Sequence, residues 1–328
     1  MLSYRTILKQ AWKISWKNKI LWFFGFFASL ISFSAEFKVI SRSLNQEIGL
    51  QTLNNIKLFL NTGIFSRNSW TNFIDLLKND PKSIFFLLLV FILIIGISIF
   101  FAWLSTVSQI GIINSVKNIV NEKKEKLTIK NAIKNGNKKF WPVFLMNVMI
   151  SLAINIIYLI MSFLFVLVII KNQATATILY GLVFIIFIAL SLFLSFIIKY
   201  GIAYIVIEKE KFFTAIKRGW KLFFNNWLIS VEMAIVLFFI NILAIILISF
   251  LSYIVFFLFF GIALSTTLIA SPAIIFWTIL IIGILIILSI MVLGSAILNT
   301  FQISSWTDLF IKIKDEKKEA KLERIFKK

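Results

Sequence analysis

The stretch "AIKRGWKLFFNNWLISVEMAIVLFF" (Ala215–Phe239) decides how this chain is read. Its first seven residues hold Lys217, Arg218, Trp220 and Lys221, and apolar residues dominate the remainder. Ammonium groups and indoles at the mouth of an apolar run suit a chain passing from water through headgroups into hydrocarbon. Other apolar runs are longer and carry no charge: "IFFLLLVFILIIGISIFFAWL" (84–104), "LYGLVFIIFIALSLFLSFII" (179–198) and "AIIFWTILIIGILIILSIMVLG" (273–294). About 20 apolar residues cross a hydrocarbon layer roughly 30 Å thick. A helix there satisfies its own backbone polar groups, so such runs read as transmembrane helices.

Composition agrees. Of the 328 residues, 60% are hydrophobic, against about 45–50% in soluble domains. Cysteine and histidine are both absent, which excludes a disulfide framework, a Cys/His metal site and imidazole acid–base chemistry. Lysine outnumbers arginine, and Asn, Ile and Phe are abundant; that bias points to an AT-rich prokaryotic genome.

The net charge of +20 would indicate nucleic acid in a soluble protein; its placement here indicates a membrane. Residues 1–19, 117–139, 199–221 and 312–328 hold 5, 8, 6 and 8 of the 34 Lys and Arg. The positive-inside rule puts all four clusters in the cytoplasm. Six spans satisfy that constraint, at about 20–35, 83–108, 142–170, 177–200, 227–256 and 272–298, with both termini inside. The localisation this predicts is a prokaryotic cytoplasmic (inner) membrane. Two alternatives stay open: residues 1–35 as a cleaved signal ending near "SFSA" (32–35), and 251–270 as a separate span rather than the end of the fifth helix plus a turn. Asp80-Pro81 and Ser271-Pro272 pair an N-cap residue with proline at the first helical position. Trp141-Pro142 predicts a break before the third span.

The opening motif recurs. "AWKISWKNKILWFFG" from Ala11, "AIKNGNKKFWPVFLM" from Ala132 and "AIKRGWKLFFNNWLI" from Ala215 share Ala, Lys two later, a small residue four later (Ser15, Gly136, Gly219) and Lys six later. The approaches "IVNEKKEKLTIKNAIKNG" (119–136) and "IVIEKEKFFTAIKRG" (205–219) also match. The expected fold is therefore all-α: a polytopic transmembrane bundle of six spans in three two-span repeats (about 1–122, 123–209 and 210–312), each opened by a cytoplasmic interfacial helix. At 100° per residue all three segments are amphipathic. In the first, Ile7, Leu8, Ala11, Trp12 and Ile14 oppose Arg5, Lys9, Lys13 and Lys17. Such helices lie in the headgroup layer, or pack their apolar faces on the bundle while their charges hold loops inside. The interface candidates are Lys13, Trp16, Lys17, Lys134, Lys138, Trp141, Lys217, Arg218, Trp220 and Lys221. Their expected partners are anionic lipid headgroups, or a membrane or cytoplasmic protein.

Residues 36–82 form the expected outward loop, with a short capped helix over 69–81, and 312–328 a basic cytoplasmic tail. Glu232 is the one acid inside an expected span, and Asn147, Asn155 and Asn241 accompany it as intramembrane polar residues. Gln109, Asn299 and Gln302 are expected to be wet, near cytoplasmic span ends. No nucleophile–base pair, paired carboxylates or phosphate-cradling glycine loop is visible, so no cofactor or metal is expected and an enzyme is disfavoured.

"IVIEKEKFFTAIKRGWKLFFNNW" and its copies resemble a bacterial and archaeal membrane-protein group in which an "E-K…(S/T)…A-(I/L)-K-x-(S/G)-W-K" helix precedes each span. That group includes the membrane domain attached to some glycerophosphoryl diester phosphodiesterases. The second copy departs from it, with Asn137 in place of Trp. The resemblance implies the membrane module without the hydrolase, whose chemistry belongs to a separate soluble barrel. The expected function is a non-catalytic membrane protein binding anionic lipid or a cytoplasmic partner through the basic–aromatic helices. A transporter component with Glu232 as its polar site is the alternative, and a lipid-active enzyme the third reading.

Overall fold

The computed structural model describes residues 4–29, 71, 81–122, 128–169, 173–268 and 272–314. They are all-helical: α1 (Tyr4–Lys17), α2 (Ile20–Ser29), α3 (Pro81–Val120), α4 (Ile129–Asn137), α5 (Phe140–Ile169), α6 (Gln173–Ile207), α7 (Phe212–Asn225), α8 (Trp227–Leu268) and α9 (Ala273–Ile313). Among the described residues five helices are long and apolar enough to cross a membrane: α3, α5, α6, α8 and α9. The chain is in that sense a multi-pass membrane protein.

Several boundaries differ from expectation. The first expected span appears as α2, ten residues long, which reaches only about half the hydrocarbon thickness; residues 30–35 lie outside the described set. So do the "SFSA" stretch, most of the 36–82 loop with its 69–81 helix, and the tail beyond Lys314. Residues 251–268 continue α8 without a break. The break expected at Trp141 falls earlier, at Lys138 and Lys139, and Pro142 sits in the first turn of α5, where its missing N–H costs nothing. Pro272 flanks α9 rather than opening it.

Helices α3, α6, α8 and α9 have 40, 35, 42 and 41 residues. At about 1.5 Å per residue a 40-residue helix is roughly 60 Å long, twice the hydrocarbon thickness. The apolar side chains from Phe85 to Phe101 and many from Ile274 to Leu293 are exposed, as suits a lipid solvent. Hydroxyls on these faces fold back onto their own helix: Ser98 onto the Ile94 carbonyl (2.8 Å), Thr278 onto Ile274 (2.7 Å) and Ser289 onto Leu285 (2.8 Å). These donors are then not left bare in hydrocarbon. The C-terminal ends are different. Residues 105–108, 195–198 and 299–301 are buried.

The chain divides into two compact units. The first gathers 1–32, 104–143 and 199–328, and so holds α1, α2, α4, α7, α8, α9 and the C-terminal ends of α3 and α6. Ile14, Leu21, Phe24 and Ala28 meet Ile112 and Val116 of α3, with Ile133 and Ile303 at the margin. Gly25 lets α2 close on α9: a Cβ there would overlap Thr300 Oγ1 and the Ala296 carbonyl. Asn299 Nδ2 donates to the Gly25 carbonyl (2.9 Å), and Thr300 Oγ1 to that of Leu21 (2.9 Å). Small residues that admit close approach, with polar side chains bridging backbones, are how helices associate where water supplies little drive. Asn299 is thus buried, not wet as expected, because α2 covers it; Gln109 and Gln302 are half-buried. The second unit holds 33–103 and 144–198; there Ile154 and Phe187 form a small core with Ile150, Ile157, Tyr158 and Ile188.

Candidate functional site

The three amphipathic helices all lie in the first unit. Each buries the small residue of the shared motif: Ser15 on α1, Gly136 on α4 and Gly219 on α7. At Gly136 a Cβ would stand 2.7 Å from Val107 Cγ1 and 3.1 Å from the Val107 carbonyl oxygen, so that position is a helix crossing. Around these points α1 buries Ile7, Ala11 and Ile14, and α7 buries Ala215, Leu222 and Phe223. On α4 only Gly136 is buried, with Ala132 and Ile133 half-buried and Ile129 exposed. What remains outward is the set of interface candidates: Lys13, Trp16, Lys17, Lys134, Lys138, Trp141, Lys217, Arg218, Trp220 and Lys221 are all exposed. Trp12, on the apolar side by periodicity, is 52% exposed. Ala11 takes the close contact, and the bulkier indole swings to the edge of the stripe.

On α1 the indoles form a ladder. Trp12 stacks on Trp16 at 5.4 Å and 14° between planes; Trp16 leans on Trp22, also at 5.4 Å; Trp12 meets the edge of Phe301 at 6.1 Å. Trp22 is locked by its Nε1–H donating to the Ser15 carbonyl at 2.8 Å. On α7, Trp220 instead tilts over Phe224 at 5.0 Å.

The charge environments also differ. Arg218 of α7 pairs with Glu210 at 2.6 Å, and Lys314 with Glu208 at 2.6 Å. No acid precedes Glu36 in the sequence. Among the described residues no ion pair involves Arg5, Lys9, Lys13, Lys17 or Lys19.

Glu232 is buried on α8 and accepts a hydrogen bond from the Tyr4 hydroxyl. Nearby, the Tyr200 hydroxyl and Ser230 Oγ are 2.7 Å apart, and Ser230 Oγ donates to the Asn226 carbonyl at 2.9 Å. Tyr4 thus ties α1 to the first turns of α8. A Tyr4→Phe chain should lose about 1–2 kcal/mol of stability, the cost of one hydrogen bond to a buried acceptor, read as a lower unfolding temperature in detergent. Asn147 and Asn241 are half-buried, and Asn155 is exposed.

One buried acid does not stand out in the sequence. Asp308 on α9 is fully buried and meets Lys312 Nζ at 2.7 Å, while Lys312 also donates to Gln10 Oε1 on α1 at 3.2 Å. The four-residue spacing of Asp308 and Lys312 is legible as a helical pair. Its burial is not, because α1 supplies the cover from about 300 residues away.

No group of three or more His, Cys, Asp and Glu side chains gathers among the described residues. The chain matches no protein-family model, no curated protein and no solved structure.

Proposed function

We propose that this chain is a non-catalytic membrane module that holds anionic lipid through its basic–aromatic helices. The observation that carries the reading is the division of labour on α1 and α7, where a buried stripe faces protein while lysines and indoles stand outward, and on α4, where Gly136 makes the close contact and Lys134 is exposed. Indoles favour the headgroup level, and each nearby cation gains about 1 kcal/mol from an anionic leaflet. The chain is read as six spans in three two-span units, α2 beginning the first span. Support comes from the buried small residue common to α1, α4 and α7, and from left-handed turn residues just beyond α3 and α6, at Glu122 (φ 54°) and Lys209 (φ 59°). On this reading the module resembles the membrane domain found with some glycerophosphoryl diester phosphodiesterases, without their hydrolase chemistry. Tyr4 on Glu232 supports a structural role for that acid, so the transporter reading gains nothing.

The lipid test removes the charge from all three helices. Changing Lys13, Lys17, Lys134, Lys138, Lys217 and Lys221 to Gln should abolish enrichment of phosphatidylglycerol over phosphatidylcholine in lipid retained through purification, a loss of tenfold or more at about 1 kcal/mol per cation. Unchanged enrichment would remove the lipid reading. Orientation has its own test, made simple by the absence of native cysteine. Single cysteines at Lys134 and Lys217 should react with an impermeant maleimide only after cells are opened. Labelling of intact cells at either position would overturn the inward placement.

A further inference from the structure

The three helices are not equivalent. We propose that α1 and its turn into α2 carry the principal phospholipid site, an indole platform of Trp12, Trp16 and Trp22 beside Lys13, Lys17 and Lys19 that takes the phosphodiester of an anionic lipid in the bilayer. This rests on the lipid reading above and narrows it to the first of the three motif copies.

The platform is built rather than incidental. Trp22 is pinned by its hydrogen bond to the Ser15 carbonyl, Trp16 leans on Trp22, and Trp12 is held between Trp16 and Phe301. Rings already fixed lose little freedom when a ligand arrives. Yet Trp12 and Trp16 remain 52% and 51% exposed, an arrangement suited to the headgroup layer, where an amphipathic ring is at home. Among the described residues no protein acceptor meets the indole N–H of Trp12 or Trp16, whereas that of Trp22 is used on Ser15. Two N–H donors therefore remain unspent on half-exposed rings.

Position adds charge to those donors. Residues 12 and 16 form one row on the helix, 13 and 17 the next, about 100° around. Lys13, Lys17 and Lys19 are exposed, and none has an acid partner among the described residues. A phosphodiester has one negative charge and oxygens facing several directions, which ammonium and indole N–H donors together satisfy. A cationic ligand on the same rings would meet the lysines' repulsion. The other two helices have less of it: on α7 a single indole, Trp220, stands beside Lys217 and Lys221 while Arg218 is paired with Glu210, and the second motif copy has Asn137 in place of Trp.

The full chain in nanodiscs of equal phosphatidylglycerol and phosphatidylcholine, followed by mass spectrometry of retained lipid, tests this. Lys13→Gln/Lys17→Gln/Lys19→Gln should lower phosphatidylglycerol enrichment about tenfold or more. Lys217→Gln/Arg218→Gln/Lys221→Gln should lower it several-fold less than the α1 variant does, since Arg218 is already paired with Glu210. Trp12→Phe/Trp16→Phe keeps rings in place and removes the donors; enrichment should fall with no change in unfolding temperature. An α1 lysine variant that keeps its enrichment, or an α7 variant that loses as much, overturns the assignment. The six-lysine variant separates the two failures. If it loses enrichment when the α1 variant does not, only the assignment to α1 falls; if it too keeps enrichment, the lipid reading falls with it.

Discussion

A Gly25→Val chain is expected to lose most of its recoverable folded protein, and Gly25→Ala a large part of it. The collision begins at Cβ, so alanine already meets the obstacle. One of the two atoms in the way is the Ala296 carbonyl oxygen, part of the α9 backbone, and a helix backbone cannot rotate aside as a side-chain tip can. Separating α2 from α9 also lengthens the Asn299 and Thr300 bonds to the Gly25 and Leu21 carbonyls. Overpacking costs about 1–3 kcal/mol and two buried hydrogen bonds about 1 kcal/mol each. The sum is a large share of the roughly 5–15 kcal/mol that hold a folded domain. The measurement is monodisperse yield and unfolding temperature in detergent. Gly96 is the internal control: it lies mid-helix in α3, and a methyl added there would meet nothing within 4 Å. Gly96→Ala should be neutral or stabilising by about 0.5–1 kcal/mol. Equal losses at both positions would refute the close-packing account.

The second large effect is expected at Lys312. Replacing it with methionine keeps the aliphatic stem but strands the Asp308 carboxylate, fully buried, without its cation. Gln10 loses its contact to α9 in the same step. Removing one member of a buried pair costs about 3–5 kcal/mol, because the remaining charge stays out of water; with Lys312 31% exposed, the loss here should be about 3 kcal/mol or less. The double variant Asp308→Leu/Lys312→Met should recover most of that loss, since no charge is then buried. Arg218→Met breaks a pair whose arginine is 54% exposed and should cost under about 1 kcal/mol. A Lys312→Met chain as stable as the parent would mean that Asp308 draws no support from that pairing.

Glu232 and Asp308 illustrate what is legible in the sequence. Glu232 stands out because it interrupts an apolar run, and the structure finds it buried. Asp308 lies past the expected end of the last span, at 298, where a charge reads as solvated. That reading fails because the end of the hydrocarbon is not the end of burial. On α9, burial resumes beyond it, under α1 and α2. Trp12 shows the opposite case. Helical periodicity places it with Ile7 and Ala11, but a stripe that must pass close to a neighbouring helix accepts alanine and serine and turns an indole out.

The sequence by itself determined that this chain crosses a membrane several times, and that three short helices carry cations on one side and apolar residues on the other. Both properties are sums over neighbours: transfer into hydrocarbon adds up along some 20 consecutive residues, and amphipathicity repeats about every 3.6. Only the tertiary structure decided that Gly25 touches α9, that Tyr4 reaches Glu232, that Gln10 meets Lys312, and that the α1 indoles stack outward. Those contacts join residues as much as 302 apart in the chain. No local period encodes them; they depend on which helix ends meet and on how closely small residues let backbones approach.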